Sequence, residues 1–134
     1  MKKIVKIETA TNDFEIENQW SQVIDARVNS LFKLHGIFIE SLPTMKVEKD
    51  LVGFFSDCIL DALLEHLEKT YSEPLSKEIQ KHSSRFEKIV VNKKKYILNY
   101  RQSENDRTSY AIYLIYKAIS EADSKGQILI LHFN

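Results

Sequence analysis

Four histidines, His35, His66, His82 and His132, are the side chains here whose ordinary titration falls near neutral pH. None lies three or four residues from another, so no helix turn can pair them on a metal ion. His82 stands in Lys-His-Ser-Ser-Arg, ahead of a basic stretch. A small metal-independent ribonuclease would use such a set: His82 as general base, with Arg85 and Arg101 holding the phosphate. The competing reading is an exposed loop histidine. His66 falls beside Leu63 and Leu67, where a hydrogen-bonded boundary histidine is expected in preference to a ligand. The single cysteine, Cys58, excludes an internal disulfide framework and a four-cysteine metal site. It sits between Phe55 and Ala62 with no activating base nearby, so an inert thiol of raised pKa is expected. The chain has only three glycines and carries none of the glycine-rich phosphate loops, HExxH, paired CxxC or GxSxG patterns. No metal and no cofactor is expected.

Charge is balanced in sum, with 19 basic and 19 acidic residues, yet it is unevenly laid out. Residues 8–73 hold thirteen acids and five bases; residues 74–101 hold eight bases and two acids. Lys88, Lys93, Lys94 and Lys95 could track a phosphate backbone. Lysines around a hairpin turn also discourage edge-to-edge strand pairing, and a sequence pI of 6.9 is below that of a dedicated nucleic-acid binder.

Five of the six tyrosines fall in 96–116, interleaved with arginine. Tyrosine combines a rigid contact area with a polar tip, and both residue types are enriched at binding hot spots. Tyr96, Tyr100, Arg101, Arg107, Tyr110 and Tyr113 therefore form the candidate partner-binding set, with Tyr116 at its end. Some of these rings are expected to line the core. Arg27, on the apolar side of a helix between Ile24 and Leu31, is expected to pair with a carboxylate across the fold.

Positioning elements follow from periodicity. Residues 3–8 read as a first strand. Asn12 or Asp13 is expected to cap a helix whose stripe is Ile16, Trp20, Val23, Ile24, Val28 and Leu31, stopped at Gly36. Ile37-Phe38-Ile39 reads as a short strand or packed turn. A second helix, 46–70, has Thr44 as candidate cap. Leu51, Phe55, Ile59 and Leu63 turn inward, within a wider apolar face that includes Val47, Phe54 and Cys58. A short helix is expected at 75–82, after Pro74. Phe86–Val91 and Lys95–Arg101 flank Asn92-Lys93-Lys94 as a hairpin. Ser103–Arg107 reads as a polar loop. Residues 109–116 fit either period, and helix is favoured from about 108 to 124, ended by Gly126. Gln127–Phe133 closes as a strand.

Mixed elements without regular βαβ alternation predict an α+β fold. All 134 residues are expected in one domain: a mainly antiparallel sheet of about four strands against two to four helices. No apolar run reaches the ~20 residues of a membrane span, and Met1-Lys2-Lys3 is not followed by a signal core. A soluble, cytoplasmic protein is expected. The functional expectation is a non-enzymatic protein binder of the kind that immunity proteins, antitoxins and phage- or plasmid-borne inhibitors exemplify. RNA binding or cleavage is the alternative, and a housekeeping structural subunit that forms a homodimer by a sheet edge is the third.

Overall fold

Residues 4–16, 24, 27, 28, 30, 33, 43–68, 71–72, 87–99 and 103–134 are described by a computed structural model. The α+β expectation holds. Four strands, β1 (Ile4–Glu8), β2 (Asp13–Glu15), β3 (Thr44–Val47) and β7 (Leu129–Phe133), form an antiparallel sheet in the order β2-β1-β7-β3. Cross-strand pairing puts Ile7 opposite Phe14 and Leu131, Met45 opposite Leu131, and Val47 opposite Leu129. That face is the core face; Lys6, Glu8, Thr44, Lys46, Ile130 and His132 occupy the other, as strand alternation requires. Ile4 and Ile7 are three residues apart and would point to opposite faces of a regular strand. A register irregularity between Ile4 and Lys6 lets both be buried.

Asn12 and Asp13 do not cap a helix. Thr9 closes a turn instead: its backbone N–H donates to Asn12 O at 2.8 Å, and its hydroxyl accepts from Asn12 N at 3.0 Å. Asp13 then enters β2, where Lys6 pairs with it at 3.5 Å. Ile16 is buried but lies outside any helix. Of the expected first helix, Ile24, Arg27, Val28, Ser30 and Lys33 are described and helical, with Ile24 and Val28 buried one turn apart. The expected elements at 37–39 and 75–82 lie outside the described residues.

Helix α1 (Lys49–Leu67) begins later than expected. Thr44 is not its cap but the start of β3, because Thr44–Val47 alternates exposed and buried and pairs with β7. Glu48 takes the cap position without a side-chain cap bond. The stripe Leu51, Phe55, Ile59 and Leu63 is buried as expected. Phe54 is not part of it and is 55% exposed, since it lies about 100° around the helix from Phe55.

The hairpin β5 (Glu87–Val91) and β6 (Lys94–Leu98) forms as expected, but its turn is only Asn92-Lys93, and Lys94 already belongs to the strand. Both turn residues have positive φ, 50° and 66°, the geometry of a type I′ turn. Together with β4 (Tyr71–Ser72) the hairpin makes a second sheet of order β4-β6-β5. Helix α2 (Glu104–Ser124) settles the ambiguous 109–116 stretch as helix. It runs antiparallel to α1: Ser56 meets Ser120 at 3.4 Å near one end and His66 meets Asn105 at 3.3 Å near the other. Gly126, at φ 64°, turns the chain into β7. One apolar cluster joins Ile7, Val47, Phe55, Ile89, Ile115 and Leu131, so both sheets, α1 and α2 share a core.

Candidate protein-binding face

Ser103–Arg107 is not a loop but the start of α2. Ser103 is the N-cap, its hydroxyl accepting from Asp106 N at 3.2 Å. The sequence Ser-Glu-Asn-Asp offers that cap plus acids in the first turn, where the helix dipole favours negative charge. Asp106 is buried, and its carboxylate accepts from Asn99 N at 2.9 Å. This bond ties the exit of β6 to the start of α2.

That anchoring fixes which side of α2 faces water. Ile112, Ile115, Ile119 and Ala122 are buried against the core. Opposite them, Arg107, Leu114, Lys117 and Glu121 are exposed and Ala118 is half-buried, while Tyr110, Ala111 and Tyr113 are half-buried with part of each side chain packed against the core. Leu114, 40% exposed, is the centre of this outward face. Tyr113 lies on its flank, half-buried, with the Lys117 ammonium 5.5 Å from its ring centroid. Glu121 pairs with Lys125 at 2.7 Å, and that hydrogen bond and charge hold its carboxyl below the usual range.

Of the six residues proposed for partner binding, Arg107, Tyr110 and Tyr113 thus share one helix. Tyr96 is corrected: it is 8% exposed, packed in the core, with Lys94 over its ring at 5.5 Å. Tyr100 and Arg101 lie outside the described residues, as do His82 and Arg85 of the ribonuclease set. Leu114 was missed in the sequence because 109–116 fitted either period; its helical phase, about 200° around from Ile112, was the available signal.

Lys88, Lys93, Lys94 and Lys95 are all exposed on the hairpin. Arg27 finds its expected carboxylate, Glu65 of α1. Cys58 is half-buried, less than expected, and its thiol donates to Arg27 O at 3.7 Å. Burial pushes its pKa up, Asp61 and Asp57 push it further, and Arg27 opposes them.

Asn105 donates from Nδ2 to His66 O at 2.9 Å, which leaves its Oδ1 to accept from Nδ1 of the same histidine. Among the described residues, His66 Nε2 and the hydroxyl of fully buried Ser109 have no hydrogen-bond partner. On the outer face of the four-stranded sheet His132 Nε2 is likewise buried with no partner among the described residues. Its paired neighbours are Lys6 and Thr44.

An open cavity of about 420 Å³ lies where β1 ends and β7 begins, lined by Glu8, Thr9, Ala10, Gln127, Ile128 and Ile130. Its Thr9 hydroxyl is committed to the neighbouring turn. Among the described residues no group of three or more His, Cys, Asp or Glu is placed to hold a metal ion, and no helix is long and apolar enough to cross a membrane. No family model, curated protein or solved structure matches the chain.

Proposed function

We propose that the protein acts by binding another protein through the outward face of α2. One observation carries this reading: a helix anchored along its inner side turns an exposed leucine outward, between Tyr110, two alanines and the flanking Tyr113. An apolar centre with a charged rim, supplied here by Arg107, Lys117 and Glu121, is the anatomy of a protein contact. In such a contact Arg107 and Tyr113 act as anchors. The chain would then work by occupancy, as an inhibitor or adaptor does, and not by chemistry.

The test is affinity capture from source-cell lysate, with and without nuclease. The expected result is a nuclease-resistant protein partner whose capture falls with Arg107→Ala at unchanged melting behaviour, and with Tyr113→Ala measured where that variant, whose ring also packs against the core, is still fully folded. Capture indifferent to both substitutions would reject the reading. A second reading, RNA binding, draws on the four exposed hairpin lysines. It expects nuclease-sensitive capture and RNA retention lost when Lys93, Lys94 and Lys95 are changed to Gln.

A further inference from the structure

Arg107, Leu114 and Glu121 follow one another at seven-residue intervals on the outward face of α2. Seven residues are close to two helical turns, so the three side chains form a line along the helix about 21 Å long. The line has opposite charges at its ends and an apolar residue at its midpoint. Reversed end to end, it is its own complement.

We infer that the partner of this face is a second copy of the same chain, docked antiparallel about a two-fold axis through Leu114. This inference rests on the binding reading above and deepens it. The two-fold places Leu114 against Leu114 of the second copy. Arg107 then meets Glu121 of the second copy at one end, and the reciprocal pair forms at the other. At the heights between, the small Ala118 leaves room for the exposed edge of the half-buried Tyr110, and the aliphatic stem of Lys117 lies beside the half-buried Ala111. Symmetry of this kind is what an isologous interface requires: one patch meets itself. Arg107 has no ion-pair partner among the described residues. Glu121 keeps Lys125 on one side and can accept the arginine from the other. A single helix pair buries less than a standard interface, so association is weak and concentration-dependent.

Sedimentation equilibrium of the full chain from micromolar to millimolar concentration tests this. A reversible dimer is expected for the native sequence and a monomer for Leu114→Asp. Symmetry makes each charge reversal act twice. Arg107→Glu or Glu121→Arg alone should therefore weaken the dimer by about tenfold, and the double variant should restore it. All these positions are exposed, so circular dichroism melting should remain native-like for every variant. The register has its own readout, in a Cys58→Ser background. Leu114→Cys should form a disulfide-linked dimer, while Arg107→Cys should not, because the antiparallel docking holds its two copies about 21 Å apart. A native chain monomeric at millimolar concentration overturns the inference. So does a dimer indifferent to Leu114→Asp, or cross-linking by Arg107→Cys as efficient as by Leu114→Cys. A monomer that still captures a different protein, sensitively to Arg107→Ala, overturns the second copy and leaves the binding reading standing.

Discussion

Asp106 shows how one side chain can set an element's orientation. Its carboxylate accepts the Asn99 N–H while its own N–H is held by the Ser103 hydroxyl, so strand exit and helix start are fixed together. Asp106→Ala should cost about 1–3 kcal/mol, the range for orphaning a buried hydrogen-bond partner, with Asp106→Asn recovering part because its amide oxygen can still accept. Equilibrium denaturation of both variants checks this; equal stability of the alanine variant and the native chain would refute it. Cys58 gives a pH-dependent case. Its thiol pKa is raised in the folded state, chiefly by burial and then by Asp61 and Asp57. The folded protein therefore keeps its proton to higher pH than the unfolded chain does. The sign follows: this group's contribution is constant below the ordinary thiol range and is lost as pH climbs through and above it. Alkylation should accordingly be slower than for an unfolded cysteine at the same pH. Asp61→Asn should speed it by removing a charge that disfavours the thiolate. Native labelling as fast as in denaturant would contradict that.

At the scale of elements the hairpin turn carries the clearest test. Lys93 sits at φ 66°, where an L side chain crowds its own backbone. Lys93→Gly should stabilise the protein by about 1 kcal/mol, since glycine removes that penalty and Asn-Gly is the favoured type I′ pair. A lower melting temperature would count against the turn geometry. Phe55→Ala, in the buried stripe of α1, should cost about 3–5 kcal/mol. Long periodic elements were legible in the sequence: the stripe of α1 has enough repeats to fix a helical phase, and the run to Ala122 is long enough to favour helix where 109–116 alone fits either period. Short ones were not. Thr44–Val47 alternates over only four residues, and read forward it merges with the apolar face of the helix behind it. Its strand character comes from β7, a partner 82 to 88 residues away that local pattern does not contain. Ser103–Arg107 looked like a loop because its polar residues suit both a turn and a capped helix start; the difference lies in Asn99 and Asp106 meeting. The candidate binding face was half legible, since tyrosine and arginine marked the segment, whereas the burial of Tyr96 and the outward aim of Leu114 depend on which side the core occupies.

Across the whole molecule, zero formal net charge hides a separation of signs. Asp50, Asp57, Asp61, Glu65 and Glu68 are exposed on or beside α1, and Lys88, Lys93, Lys94 and Lys95 are exposed on the hairpin. Such a distribution steers a charged partner but leaves affinity to close contact. The two functional readings therefore separate by salt. Docking on the outward face of α2 draws on an apolar centre, so capture of a protein partner should persist when ionic strength is raised several-fold above physiological. RNA held by the hairpin lysines would exchange bound counterions, and its affinity should fall steeply with salt. Changing Lys93, Lys94 and Lys95 together to Gln should leave protein capture within about threefold of native, because rim and remote charges alter encounter more than residence. Tyr113→Ala should instead weaken it by about thirtyfold, the effect of losing roughly 2 kcal/mol at a hot spot. A titration series measured at two salt concentrations distinguishes these outcomes. Capture abolished by salt and by the lysine changes, yet indifferent to Tyr113→Ala, would move the functional surface from α2 to the hairpin.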